Sequence, residues 1–330
     1  MAGSDGSGTP VSERLAIIVP VFNDWTSFAI LCRNIDRLAP AWGVRVSIIA
    51  VDDCSAEPLP ADAQLKDLTN VCGLEILSLV CNLGHQRAIA VGLAAALDAR
   101  DFNAVVIADA DGEDRPEDIG RMIDAHRRDR GALIVGRRAA RSEGLGFRAF
   151  YCLYKLIFRL STGKNIDFGN FSLLPIGRLQ SVLYMPESWN HLAATMLRSR
   201  IPLVRLDCVR GTRYAGTSSM NLVSLSAHGI SAVSVFNDLV FTRLLALSAV
   251  VAALSFCAAL AATIVRLTTQ AAIPGWATTV VGISGVMFFQ ALILSVVAAI
   301  SLLGGRSSVA FIPARQATQF IATRTVMVPP

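Results

Sequence analysis

Two rhythms of apolar residues run along this chain. From residue 14 to 136, short unbroken apolar runs alternate with stretches in which apolar residues recur every three or four positions. The runs "LAIIVP" (15–20), "RVSIIAVDD" (45–53), "LEILSLV" (74–80), "NAVVIAD" (103–109) and "GALIVGRR" (131–138) predict five strands. Between them, "DWTSFAILCRNIDRL", "GHQRAIAVGLAAALDA" and "RPEDIGRMIDAHRR" predict helices. Asp24 is placed to cap the first, and Pro116 falls in the first turn of the third, where proline is tolerated. The second is rich in small residues, which lets a helix lie close to a sheet. Strands that are apolar throughout are covered on both faces. The pattern therefore predicts an α/β fold, a Rossmann-like, mostly parallel sheet between helices.

The second rhythm is longer. No charge occurs in the 22 residues between Arg243 and Arg266, and none between Arg266 and Arg306. About 20 apolar residues cross a bilayer as a helix, so two transmembrane helices are expected, about 243–266 and 278–304, with a turn near Ala271 to Trp276. Arg243, Arg306, Arg315 and Arg324 flank the outer ends and only Arg266 the link, which places both termini in the cytoplasm. The expected organisation is a disordered tail (1–13), a cytoplasmic α/β domain (14–220), a juxtamembrane amphipathic segment (221–238), a transmembrane hairpin (239–305) and a cytoplasmic tail (306–330). Segments 147–160 and 221–236 are candidate helices lying on the membrane. Composition agrees: 17% of residues are charged, against about 25% in soluble domains.

Charge adds a direction. Carboxylates thin out after Asp118, while arginines recur from Arg137 to Arg213, so the second half of the domain attracts a phosphate, an anionic substrate or an anionic membrane. No basic helix with interleaved aromatics occurs, and nucleic acid is not an expected partner. The seven cysteines are scattered without CxxC spacing, which indicates neither a disulfide framework nor a zinc site.

Ligands of such sheets sit beyond the carboxyl ends of the strands. Three predicted strand ends carry chemistry: "VPVFND" (19–24), "VDDCS" (51–55) and "DADGED" (109–114). The last opens a segment with six carboxylates. It fails the EF-hand spacing, since the sixth residue from Asp109 is Asp114 and the twelfth is Gly120. No GxGxxG or Walker loop is present. Asp109 and Asp111 on a strand end can hold Mg²⁺ or Mn²⁺ with a diphosphate filling the other positions. The bare Asp-x-Asp pattern also fits a solvated turn, and Glu117 and Asp118 suit the first turn of a helix by its dipole.

Taken in order, "IIVPVFND", "IAVDDCS", "NLGHQRAIAVGL", "DADGEDRPED" and "VGRRAAR", followed by a paired hydrophobic hairpin, resemble family 2 glycosyltransferases of GT-A fold. Among these, the chain is similar to GtrB-type polyprenyl-phosphate glycosyltransferases, related to dolichol-phosphate mannose synthases. The resemblance covers roughly residues 14–305. It implies a bacterial inner-membrane enzyme that moves a sugar from a UDP- or GDP-sugar to a polyprenyl phosphate, with Mg²⁺ or Mn²⁺, and it leaves homo-oligomerisation open. Pro20, Val21 and Asn23 would line the nucleotide pocket, and Asp52 and Asp53 would meet base and ribose. Asn82, Gly84 and His85 would lie close to the nucleotide. Asp109, Ala110 and Asp111 match the metal-binding motif. Arg138 and Arg141 would reach the acceptor phosphate or donor diphosphate, and Arg210, Arg213, Gly216 and Ser218 match a basic loop. This chain departs from the pattern at Asn170 and Ser172, where the family often has Asp and Arg, at Ser219 and Met220 in place of Lys-Tyr, and at Glu113 in place of Gln. Two other readings fit: a lipid-alcohol acceptor, which needs a general base such as Glu113 or Asp114, and a membrane adaptor that binds nucleotide sugar without turnover.

Overall fold

The computed structural model describes residues 13–60, 65–138, 156, 158–215, 222–269, 275–307 and 310–329. They fall into two compact units. One holds residues 166–235 and 311–330 together with the chain before residue 151; the other holds residues 151–165 and 236–310.

The first unit is built on one eight-stranded sheet. In chain order its elements are β1 (Arg14–Val21), α1 (Trp25–Trp42), β2 (Arg45–Asp52), β3 (Val71–Leu79), α2 (His85–Ala99), β4 (Ala104–Ile107), α3 (Pro116–Arg128), β5 (Leu133–Arg138), β6 (Ser172–Pro175), α4 (Ile176–Leu183), α5 (Leu192–Arg198), β7 (Leu203–Cys208) and α6 (Leu222–Ser234). Two further elements, α9 (Pro313–Gln316) and β8 (Ile321–Val328), follow the second unit in sequence. The strand order is β7-β5-β6-β4-β1-β2-β3-β8. β1, β2, β3 and β4 pair in parallel, as do β5 and β7. β6 runs antiparallel between β4 and β5, and β8 runs antiparallel along β3.

Both faces of the central strands are covered. Leu15, Ile17, Val19 and Val21 of β1 join the core under α1 and α3, packed with Phe28, Ile35 and Met122. The alternate residue Ile18 faces α2, where a Cβ added at Gly92 would come within 2.5 Å of its Cγ2. The small-residue helix thus lies as close to the sheet as its sequence allows. Asp24 caps α1, accepting from the Ser27 amide at 3.3 Å, and Gly43 ends it in the left-handed conformation at φ 63°. Pro116 opens α3.

Residues 306–330, expected as a tail, contain β8. It pairs with β3 from Leu74↔Val328 to Leu79↔Ile321, and Arg324 reaches Glu75 at 3.5 Å. Phe311 and Phe320 stack near Trp189, with ring centroids 4.4 and 5.4 Å away.

The second unit is dominated by α7 (Asn237–Thr268) and α8 (Trp276–Ser307). At 1.5 Å per residue each is about 48 Å long, longer than the spans expected from charge-free runs. Both are long and apolar enough to cross a membrane. Their buried positions are Ser248, Ser255 and Ala262 on one helix and Ser284, Ala291 and Ala298 on the other, each set spaced by seven. A seam of small residues at heptad spacing lets two helices pack closely. The seam hydroxyl of Ser248 is satisfied within its own helix by the carbonyl of Leu244 at 2.7 Å. Leu247, Leu254, Phe256, Phe289 and Ile293 point outward, more than half exposed. Of the candidate membrane-lying segment 147–160, residues 156 and 158–160 are helical and the rest lie outside the described residues. Phe158 packs edge-on against Phe236, and Arg243 donates to the Leu160 carbonyl at 2.6 Å, where a cation complements a helix C-terminus.

Candidate active site

The expected strand ends are tied together by hydrogen bonds. At the end of β1, Pro20 and Val21 are buried, and the Val21 carbonyl accepts from the Asp53 amide at 2.9 Å. Asn23, at φ 53°, closes the same loop: its amide donates to Ser55 Oγ at 2.9 Å and its Oδ1 accepts from Ala56 at 2.8 Å. Asp52 Oδ1 accepts from the Ser55 amide at 2.9 Å.

Asp53 follows β2 and is committed to the backbone of the next loop. It is 3% exposed, and its two oxygens accept from the amides of Leu83 (2.7 Å) and Gly84 (2.8 Å). Burial pushes its carboxyl above the usual range, and the two amide bonds oppose that shift. Asp53 therefore clamps the loop of Asn82 and Gly84 to the end of β2 and sets the start of α2. Gly84, at φ 88°, makes the turn.

His85 begins α2 and faces the acidic loop. Its Nε2 is 3.4 Å from Asp109 Oδ1 and 3.2 Å from Asn170 Nδ2. Desolvation holds the imidazole below its usual pKa, against the pull of Asp114, Asp111 and Asp53. Ser172 is fully buried and donates to the Asn170 carbonyl at 2.8 Å, so both departures belong to the turn into β6.

Asp109 follows β4, and its amide donates to Asp114 Oδ2 at 3.1 Å. Asp111 Oδ1 accepts from the Glu113 amide at 2.9 Å. The basic loop after β7 lies directly on this acidic turn. Gly211 donates to the Glu113 carbonyl and Tyr214 to the Asp111 carbonyl, both at 2.9 Å. Two glycines permit the approach: a Cβ at Gly211 would sit 2.1 Å from the Gly112 oxygen, and one at Gly112, φ 87°, 2.7 Å from the Tyr214 ring. Asn34 of α1 donates to the Tyr214 hydroxyl at 3.1 Å. Across this contact, Arg213 Nη2 meets Asp111 Oδ2 at 2.7 Å, while Arg213 Nε and Arg210 Nη2 reach Glu113 Oε1 at 3.0 and 2.7 Å. The sequence motifs gave no sign of Asn34 or Tyr214.

A small crevice of about 30 Å³ opens beside this cluster, between Asp109, Glu113, Asn170 and Arg210. Cys208 also lines it, but burial raises its thiol to about 12, so it is no nucleophile near neutral pH. Arg138 ends β5, with its side chain outside the described residues. Arg141, Gly216, Ser218, Ser219 and Met220 also lie outside them.

Asp109 and Asp111 offer hard carboxylate oxygens, which suit Mg²⁺ or Mn²⁺ when substrate phosphates complete the shell. Among the described residues no group of three or more His, Cys, Asp or Glu could hold a metal. The donor set therefore fits an ion shared with a diphosphate rather than an all-protein cage.

Residues 16–174 match the Glycosyl transferase family 2 profile. This segment is a family 2 glycosyltransferase domain. Its relatives include a dodecaprenyl-phosphate galacturonate synthase of Rhizobium johnstonii, 29% identical over 50% of this chain and 48% of that protein. A bactoprenol glucosyl transferase of Shigella phage SfX is 24% identical over 69% of this chain and 75% of its own length. A polyprenol monophosphomannose synthase of Mycolicibacterium smegmatis is 28% identical over 42% of this chain and 49% of its own. The chain thus spans about half the length of the first and third of these. Among solved structures, glucosyl-3-phosphoglycerate synthase of Mycobacterium tuberculosis, in complex with Mn²⁺, UDP and glucosyl-3-phosphoglycerate, superposes at TM-score 0.50 and 12% identity, covering 69% of this chain and 80% of that one. The glycosyltransferase domain has the GT-A fold that its motifs implied.

Proposed function

We propose that this chain is a membrane-bound glycosyltransferase that moves a sugar from a UDP- or GDP-sugar to the phosphate of a polyprenyl phosphate, with inversion at the anomeric carbon. The observation that carries this reading is the pairing of Asp109 and Asp111, after the carboxyl end of β4, with the arginine loop docked on Asp111 and Glu113. Such a site holds one anion beside another. The names of the polyprenyl-phosphate relatives support the acceptor class.

Asp109 and Asp111 would hold the divalent ion, which when bound offsets the charge developing on the leaving nucleoside diphosphate. Arg210 and Arg213 orient and neutralise the diphosphate by charged hydrogen bonds. Arg138 ends β5 and Arg141 follows it in sequence, and their assignment to the acceptor phosphate rests on the family motif. A lipid phosphate is ionised near neutral pH, so attack on the anomeric carbon needs no general base. Glu113 and Asp114 are engaged by two arginines and by the Asp109 amide, which disfavours a base and with it an alcohol acceptor. The exposed apolar surfaces of α7 and α8 suit a bilayer, with the glycosyltransferase domain on the cytoplasmic side.

The test is incubation of the purified protein with a panel of UDP- and GDP-sugars, Mg²⁺ or Mn²⁺, and undecaprenyl phosphate. A glycolipid product is expected, lost at least 100-fold in Asp111→Ala, with melting unchanged. Nucleotide binding without product favours an adaptor; product only with a neutral lipid favours the alcohol reading; full activity of Asp111→Ala sinks the metal assignment.

A further inference from the structure

Arg213 occupies a position that the proposed metal also needs. Its Nη2 lies 2.7 Å from Asp111 Oδ2, on one of the two carboxylates that would hold the ion, while its Nε lies 3.0 Å from Glu113 Oε1. A guanidinium and a divalent cation on one carboxylate repel each other strongly at such separations. The loop is fixed independently of this side chain, by the Gly211 and Tyr214 amide bonds and by the Asn34 bond to Tyr214. Rotation of one guanidinium can therefore clear Asp111 with no movement of the loop. Glu113 is 8% exposed and holds both Nε of Arg213 and Nη2 of Arg210.

We propose that Arg213 is exchanged from Asp111 to the diphosphate of the donor as the divalent ion binds, and that Glu113 is the positioning residue that keeps both arginines at the rim. This rests on the metal reading above. In the ion-free protein Arg213 neutralises Asp111. With the ion in place, the N–H groups released from Asp111 face a diphosphate oxygen, one charged hydrogen bond for another. Ion and nucleotide then bind with positive coupling, because each removes a competitor of the other.

The test uses the full chain in detergent. Mn²⁺ binding without nucleotide is measured by loss of the free-ion electron paramagnetic resonance signal. UDP and GDP binding are then measured by calorimetry at saturating Mn²⁺. Arg213→Ala is expected to tighten Mn²⁺ binding about fivefold, the size of a part-exposed ion pair, and to weaken nucleotide binding about tenfold. Opposite signs on the two measurements are the signature. Arg213→Lys, which keeps the charge without the fork, should fall between. Glu113→Gln should weaken nucleotide binding while retaining Mn²⁺ binding. The exchange is overturned if Arg213→Ala leaves Mn²⁺ affinity unchanged or lower in a protein whose near-ultraviolet dichroism is native. The positioning role is overturned if Glu113→Gln loses Mn²⁺ as completely as Asp111→Ala, which would make Glu113 a ligand. If Asp111→Ala binds Mn²⁺ like the wild type, the metal assignment itself fails, and the exchange with it.

Discussion

His126 shows how one residue couples the fold to pH. It sits on α3, 9% exposed, and desolvation holds its pKa below the usual 6.5. Glu13 and Asp129 pull the value up, while Arg127 and Arg130 push it down. Because the folded value is depressed, the unfolded chain takes up a proton first as pH falls. Stability is then lost from about pH 6.5 downward and is unaffected above it. Denaturant melts between pH 7.5 and 5.5 should show this slope, shallower in His126→Gln; an equal slope in that variant would remove His126 as its source. His85 is shifted in the same direction and accounts for part of what remains. Single residues also mark how far the sequence could be read. Asp24, Gly43 and Pro116 announce their roles because capping and helix starts are local. Asp53 did not. Its motif pointed to base and ribose, yet its oxygens hold the Leu83 and Gly84 amides, a partnership set thirty residues along the chain. Glu113 was legible only as an off-pattern acid, because its arginine partners lie a hundred residues away.

At the scale of elements, β1 to β5 were legible because each carries a short apolar run. β6, β7 and β8 were not. β6 has four residues. β7 alternates in burial without a long apolar run. β8 is mostly exposed and follows two hydrophobic helices, so nothing local joins it to a sheet begun near the N-terminus. Its six register pairs with β3, at about 0.2–1 kcal/mol each, predict a loss of roughly 1–6 kcal/mol when residues 321–330 are deleted. That loss should appear as a lower Tm for the glycosyltransferase domain and as aggregation through the bared edge of β3. An unchanged Tm with no aggregation would show that β8 contributes nothing to the sheet.

At the scale of the whole molecule, connectivity constrains topology. β7 and β8 share one sheet, and α7 and α8 lie between them in sequence. If α7 crosses a membrane, α8 must return the chain to the same side. Epitope tags at the two ends should therefore both be protected from protease added to spheroplasts; cleavage of one tag alone would rule out the paired crossing. The positive-inside pattern gives the same answer from charge. β8 carries one more consequence, in time rather than space. The sheet cannot be finished on the ribosome when its first seven strands have emerged, since its last strand is translated after both long helices. Until then the edge of β3 stays bare. Completion of the catalytic domain is thereby scheduled after synthesis of the hairpin, so a chain whose synthesis stops within the hairpin would carry an unfinished sheet, open to the chaperones and proteases that recognise one.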